Sequence, residues 1–145
     1  VPVGAFLMTE KVGQHSLTAG DHGTTYGGNP LACAAVAKVL DLFEENNILE
    51  HVREVSAYLE EKLDSLAAKY DFITDRRGMG LMQGLVFDRP VAPVINAALE
   101  NGLILINAGT NIIRFVPPLV ITDADVDEMI EILDSCLKTF QEQNA

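Results

Sequence analysis

Two segments of the chain place apolar residues at the helical period, and acidic residues lie on their remaining faces. The apolar stripe of the first segment comprises Ile48, Val52, Val55, Leu59, Leu63, Leu66 and Tyr70. The stripe of the second comprises Val126, Ile130, Leu133, Leu137 and Phe140. Steps of three or four residues put each stripe on one helix face. We therefore predict two amphipathic helices, the second opened by a capping box of Thr122 and Asp125.

A third helix is predicted from Leu31 to Phe43, where the sequence is Ala-rich and apolar on nearly every face. Asn29 is a favourable N-cap, and Pro30 suits the first helical position because it loses no needed N–H. A helix that is apolar all round is typical of a buried element. Cys33 lies within it, so we predict that Cys33 packs in a core.

Short apolar runs alternate with turn signals between the two amphipathic helices. The predicted strands are Phe72–Thr74, Leu81–Phe87, Leu103–Asn107 and Ile112–Val116. A turn at Gly78-Met79-Gly80 separates the first two, and a helix over Pro90–Asn101 ends at Gly102. Residues 1–9 fit a buried strand or a loop, and residues 10–30 a loop. Helices mixed with hairpin-joined strands indicate an α+β or mixed α/β class.

Composition narrows the function classes. The 145 residues carry 10 Lys and Arg against 21 Asp and Glu, a net charge of −11. This balance disfavours nucleic acid and anionic membrane surfaces as partners, and no apolar run reaches the ~18 residues of a membrane span. Fifteen of the 21 acids lie in two helical stretches, residues 41–64 and 123–142, which we interpret as solvated helix faces. The two cysteines form neither a disulfide framework nor a metal pair, which favours the cytoplasm.

The loop before the apolar helix carries a pattern that can bind an anion. It reads Asp21-His22-Gly23-Thr24-Thr25-Tyr26-Gly27-Gly28-Asn29-Pro30. Two hydroxyls, two glycines and a helix N-terminus favour a phosphate, although an ordinary glycine-rich connection fits the spacing equally well. No Gly-Lys-Ser/Thr follows, which excludes a Walker loop.

A second segment, Arg76 to Gly84, contains glycines at the wrong spacing for a dinucleotide motif and leads into a strand, so we reject that interpretation. An arginine beside a tight turn can hold a carboxylate through two parallel hydrogen bonds; the alternative is a solvent-exposed arginine without a ligand. No metal site is predicted, because the three histidines are scattered. The Asp123-x-Asp125-x-Asp127 run lacks the glycine and the glutamate of a calcium loop.

Three motifs resemble, in the expected order, those of the class III pyridoxal-phosphate-dependent aminotransferases. They are His22–Ala32, Arg77–Met82 and Ile113–Leu119, and Val1–Ala5 resembles the segment after the family's Schiff-base lysine. The resemblance extends to about Phe140. It implies the C-terminal part of a fold-type-I transferase. Residues 1–30 would end the large cofactor-binding domain; residues 31–145 would form connecting helices and an α+β small domain, its short, mostly antiparallel sheet preceded by a long connecting helix.

The resemblance also implies roles for individual residues. Thr25 would hydrogen-bond the phosphate of pyridoxal 5'-phosphate across a homodimer interface, and Thr24 would border the substrate. Arg77 would hold the substrate α-carboxylate, whereas Arg114 is interpreted as structural. None of the five lysines stands in the Schiff-base context, so we expect that lysine before Val1 and expect the chain alone to be inactive.

Within the class, the acetylornithine branch is the most similar. The implied reaction moves the amino group of N-acetylornithine to 2-oxoglutarate in arginine biosynthesis. Ornithine, 4-aminobutyrate or a succinylated diamino acid are alternative donors. A non-catalytic small-molecule-binding domain of the same ancestry is the alternative from another class of function.

Overall fold

The computed structural model describes residues 1–143 and divides the chain into two compact units, Val1–Asn47 and Ile48–Ala145. The first unit contains a one-turn helix, α1 (Glu10–Gly13), and a longer helix, α2 (Pro30–Glu45). The elements of the second unit are α3 (Ile48–Lys69), β1 (Ile73–Met79), β2 (Met82–Phe87), α4 (Ala92–Glu100), β3 (Ile106–Asn107), β4 (Ile112–Phe115) and α5 (Asp123–Gln143).

The second unit is built on a four-stranded sheet in the order β1-β2-β4-β3, in which every neighbouring pair is antiparallel. One face of the sheet packs against the helices. The side chains buried there include Leu59, Leu63, Leu85, Val94, Ala98, Ile113, Leu133 and Leu137. The predicted fold class, helices packed on a small antiparallel sheet, is confirmed.

Both amphipathic helices form as predicted. The stripe of α3 is buried at Val55, Leu59, Leu63 and Leu66, because this face packs on the sheet and on α5. The capping box at the start of α5 is present: the Thr122 amide donates to Asp125 Oδ2 at 2.7 Å, and the Asp125 amide donates to Thr122 Oγ1 at 3.3 Å. These bonds satisfy backbone groups that the helix end leaves unpaired.

The first predicted strand is too short, and the predicted turn begins too early. β1 continues through Arg76, Arg77 and Gly78 to Met79, so both arginines lie within the strand, not between a strand end at Thr74 and the turn. The sequence pattern does not reveal this part of the strand, because the residue that faces the helices is Arg76 and not an apolar residue. Arg76 pairs there with Asp64 of α3.

The prediction that the Leu31–Phe43 helix is buried is wrong for the described first unit. The helix forms as α2, with Asn29 as its N-cap, but Ala32 is its one buried residue. Leu31 and Leu40 are 74% and 62% exposed, and Cys33 is exposed rather than packed in a core. Residues 1–9 are exposed and form no strand, so nothing in this unit covers the apolar faces of α2.

Candidate functional site

The hydroxyl-glycine loop is organised by two successive turns that lead into α2. The Gly27 amide donates to the Thr24 carbonyl at 3.2 Å, and the Asn29 amide donates to the Tyr26 carbonyl at 3.4 Å. Gly28 adopts a φ of +66°, a left-handed conformation that favours glycine. The loop is therefore shaped by its glycines, as the sequence pattern suggested.

Thr24 and Thr25 are both exposed on this loop, but their surroundings differ. The methyl group of Thr24 lies over Gly27, where an added Cβ would be only 2.6 Å from Thr24 Cγ2. Thr24 lines a groove of about 750 Å³ between Val1–Ala5 and the exposed face of α2. The Thr25 hydroxyl has no hydrogen-bond partner among residues 1–143, so it can donate to a ligand.

The start of α2 offers fewer donors to an anion than its sequence suggests. Pro30 has no N–H, and the Ala32 amide donates to Asn29 Oδ1 at 2.9 Å. The helix dipole and the Thr25 hydroxyl remain as favourable features for a phosphate. The first unit can therefore offer an anion the Thr25 hydroxyl, whereas Pro30 and Ala32 at the start of α2 have no N–H free for it.

Arg77 lies in β1 with a side chain that is 68% exposed. Its Nε donates to Asp75 Oδ2 at 2.7 Å, because residues two apart on a strand share a face. The hydrogen bond from Arg77 lowers the pKa of the Asp75 carboxyl, so Asp75 stays ionised beside it. The two terminal nitrogens of Arg77 make no hydrogen bond within the described chain and can bind a second carboxylate.

Strand register places Arg114 beside Arg77. Gly84 of β2 pairs with Arg77 of β1 on one side and with Arg114 of β4 on the other. The two arginine backbones are therefore about 10 Å apart, two strand spacings, and Gly84 between them has no side chain. Both line a shallow groove of about 250 Å³ on the sheet face away from the helices, together with Met82 and Ile112.

Arg114 differs from the other four arginines in having no acidic partner within residues 1–143. Arg53, Arg76, Arg77 and Arg89 each form an ion pair. From its motif alone Arg114 is interpreted as structural, since its position beside Arg77 depends on two strand registers. One signal was available in the sequence: no Asp or Glu occurs from residue 101 to 122, so Arg114 has no acidic neighbour along the chain.

The predicted site residues fall in two separate units. Thr24 and Thr25 lie on one loop of the first unit, and Arg77 lies on the sheet of the second. Within the described residues, no three His, Cys, Asp or Glu side chains are grouped to hold a metal ion. No helix of the described part is long and apolar enough to cross a membrane.

Comparison with protein families gives a match over almost the whole chain. The sequence profile of the family Aminotransferase class-III matches residues 1–137. The acetylornithine aminotransferase of Clostridium acetobutylicum is 44% identical over 138 residues, which are 94% of this chain and 35% of that protein. The mitochondrial acetylornithine aminotransferase of Saccharomyces cerevisiae is 41% identical over 138 residues, covering 94% of this chain and 32% of that protein.

Solved structures give a matching fold. The acetylornithine aminotransferase of Elizabethkingia anophelis superposes with a TM-score of 0.75 at 32% identity, covering 83% of this chain and 31% of that one. The lysine aminotransferase of M. tuberculosis gives 0.76 at 28% identity, covering 81% of this chain and 28% of that one. The chain spans about a third of the length of the relatives it matches.

Proposed function

The chain belongs to the class-III aminotransferase family, and on that premise we propose that it forms part of an enzyme moving the amino group of N-acetylornithine to 2-oxoglutarate. The acetylornithine aminotransferases among its relatives support this donor. Pyridoxal 5'-phosphate, when bound, supplies an electron sink for the transfer. Comparing kcat/KM of the full-length enzyme for N-acetylornithine, ornithine, 4-aminobutyrate and a succinylated diamino acid tests the choice; a higher value for another donor would replace it.

The observation that supports a role for this chain in substrate binding is the arginine pair across Gly84. We propose that Arg77 and Arg114 hold the carboxylate shared by the amino donor and the oxo acid. Asp75 accepts a hydrogen bond from Nε of Arg77, and the terminal nitrogens of Arg77 remain available to a ligand. Arg114 has no acidic partner within the described chain. Planar guanidinium groups bind carboxylates bidentately, and two of them in a chain of net charge −11 form a local positive site.

Lysine substitutions test this assignment, because lysine keeps the charge but loses the two-pronged geometry. Arg77→Lys and Arg114→Lys should each raise KM for both donor and oxo acid by about ten- to hundredfold. Arg53→Lys is the matched control: Arg53 is exposed and paired with Glu50 on α3, outside the groove. If Arg77→Lys and Arg114→Lys lower thermal stability but leave KM unchanged, both arginines are structural and do not bind the substrate.

We propose that Thr25 donates a hydrogen bond to the cofactor phosphate and that Thr24 borders the substrate. The exposed, unpartnered Thr25 hydroxyl supports the first role, and the position of Thr24 on the groove supports the second. Thr25→Val, which keeps the shape and removes the donor, should weaken cofactor retention by about 1–3 kcal/mol. Equilibrium dialysis of the full-length protein measures it, with Thr18→Val as the control in the same loop; equal affinities for both variants and the parent protein would refute the assignment.

We propose that the lysine that binds the cofactor lies outside this chain. A nucleophilic lysine needs a lowered pKa, whereas the hydrogen bonds that Lys62 and Lys69 donate to Asp127 and Asp134 raise the pKa values of these two lysines. Lys38 is paired with Glu45. Borohydride reduction of the cofactor-loaded full-length enzyme, followed by peptide mapping, should label no lysine of this chain. A label on any of its five lysines would contradict the proposal.

The remaining proposals concern organisation. We propose that residues 1–30 belong to a cofactor-binding domain and residues 31–145 to connecting helices and a small domain, in a cytoplasmic homodimer in which Thr25 serves the neighbouring subunit. The chain alone should then be inactive. Transamination by the purified 145-residue chain above a blank with free cofactor would contradict this, and ligand binding by that chain without any activity of the full-length protein would favour a binding domain.

A further inference from the structure

A buried amide connects the sheet to α3 directly behind the arginine groove. Gln83 of β2 is 2% exposed. Its Nε2 donates to the Gly80 carbonyl at 2.7 Å and to Glu60 Oε1 at 3.0 Å, and its Oε1 accepts from Arg76 at 3.0 Å. Both donors of the amide are therefore used, and an apolar replacement would leave several partly buried polar groups without partners.

Arg76 is held on the helix side of β1 by the same cluster. Its Nε and one terminal nitrogen donate to the two oxygens of Asp64 at 2.5 and 3.1 Å, and Glu60 lies 3.6 Å away. Donation to the Asp64 carboxylate raises the pKa of Arg76, so the guanidinium stays charged. Arg76 is thus occupied on the face opposite to that of Arg77.

Gly78 provides the space in which the Gln83 side chain lies. It pairs with Gln83 in the hairpin register and has a φ of +150°. A Cβ there would collide with the Met82 carbonyl oxygen and would be 2.5 Å from Gln83 Oε1. The amide reaches Arg76 and the Gly80 carbonyl because position 78 has no side chain.

Because Arg76 and Arg77 are consecutive, the charge pattern of β1 does not determine which of its two faces packs on α3. Neighbouring strand residues point to opposite faces, and a slip of one residue exchanges those faces. Such a slip would place an arginine on each face as before, with Arg76 in the groove and Arg77 against α3. Ile73, the one buried residue of β1, is separated from the arginines by a bulge between Ile73 and Asp75, so it does not determine their register.

We propose that Gln83 is a positioning residue for the substrate site. Gln83 accepts a hydrogen bond from Arg76 and donates one to the Gly80 carbonyl in the turn. These bonds select the register in which Arg77, and not Arg76, faces the groove beside Arg114. The functional part of this statement rests on the proposed role of Arg77 in carboxylate binding. The register itself is a property of the hairpin and can be measured without any assay of activity.

The test is Gln83→Leu in the cofactor-loaded full-length enzyme. Hydrogen exchange of the amides in residues 73–87 should accelerate by about tenfold or more, with α5 unchanged. KM for both carboxylate substrates should rise about ten- to hundredfold, and kcat should change much less. The matched control is Lys69→Met, which removes the ion pair with Asp134 between α3 and α5, away from the hairpin, and should leave KM unchanged.

A double variant separates register selection from simple destabilisation. Arg76→Leu combined with Gln83→Leu removes the competing arginine together with the amide that accepts its hydrogen bond, so an apolar side chain at position 76 faces α3. Glu60 and Asp64 are 36% and 56% exposed, and water replaces their lost partners. KM should then return to within about threefold of the parent value, a non-additive result. This variant also keeps the proposal testable if Gln83→Leu does not fold. A double variant with KM as high as that of Arg77→Lys would overturn the proposal.

The remaining outcomes are separable. Unchanged hairpin exchange in Gln83→Leu would overturn the positioning role whatever the activity. Faster exchange with unchanged KM, where Arg77→Lys does raise KM, would overturn the link to the site. If Arg77→Lys leaves KM unchanged, the proposed function of Arg77 fails, and the exchange measurement alone decides whether Gln83 stabilises the hairpin.

Discussion

Helices α2 and α3 differ in composition, and the more apolar of the two is the less buried. α2 is apolar on nearly every face, yet Ala32 is its one buried residue. α3 carries acidic residues along much of its length, yet its stripe at Val55, Leu59 and Leu63 is buried in the core of the second unit. The comparison shows that burial depends on a complementary surface within the unit, and hydrophobicity alone does not predict it.

The same contrast holds for the predicted site residues. The sheet of the second unit holds Arg77 and Arg114 by strand register, and Asp75 accepts a hydrogen bond from Nε of Arg77. In the first unit, Thr25 is held by its loop and leaves its hydroxyl without a partner inside the described chain. We therefore expect substitutions to have large effects on the second unit and small effects on the first.

The largest effect is expected from truncating the core of α3. Leu63 is fully buried, so Leu63→Ala in the 145-residue chain should cost about 2–5 kcal/mol of unfolding free energy, because it leaves a cavity. Leu40→Ala, at a 62% exposed position of α2, should change it by less than about 0.5 kcal/mol. Urea unfolding followed by circular dichroism measures both. Equal losses of unfolding free energy in the two variants would show that α2 is covered like α3 and would contradict the comparison of the two helices.

A smaller difference is expected between two glycines with positive φ. Gly78→Ala combines an unfavourable conformation with a collision at Met82 and Gln83 and should cost about 2–3 kcal/mol. Gly28→Ala meets nothing within 4 Å and should cost about 1 kcal/mol, the left-handed backbone alone. The same unfolding experiment ranks them, and a larger loss at Gly28 would contradict the structure of the loop.

The smallest expected effect is on the pH dependence of the unfolding free energy, through Asp134. Burial raises the pKa of Asp134, but hydrogen bonds from Lys69 and Tyr70 outweigh it and lower the pKa below the ordinary 3.8. The stability this provides is present above that value and is lost as pH falls through the folded pKa. Asp134→Asn should therefore flatten the decline of unfolding free energy below about pH 4.

Asp21 is the matched control in the first unit. Hydrogen bonds from the Thr18 amide and hydroxyl lower its pKa too, but they close only a local turn. Asp21→Asn should leave the acid dependence of the second unit unchanged. An equal flattening by both variants would show that Asp134 does not link α3 to α5 in a way that stabilises the unit.

Local patterns were sufficient to predict much of the second unit. The stripes of α3 and α5, the Thr122–Asp125 cap, and the stop at Gly102 (φ +86°) are short-range features, and the structure confirms them. The extension of β1 through Arg76 was missed, because its partner Asp64 lies on another element. The adjacency of Arg77 and Arg114 was missed for the same reason, since it requires the pairing of three strands.

The sequence by itself determined the helical faces, the caps, the acidic surface and the motifs that resemble one family, because each depends on neighbours a few residues apart. Tertiary structure alone decided which apolar face is covered, which acids pair with cations, and which arginine faces the groove. Those outcomes depend on strand register and on surfaces far apart along the chain. A register shift of one residue would change them while leaving every local pattern intact.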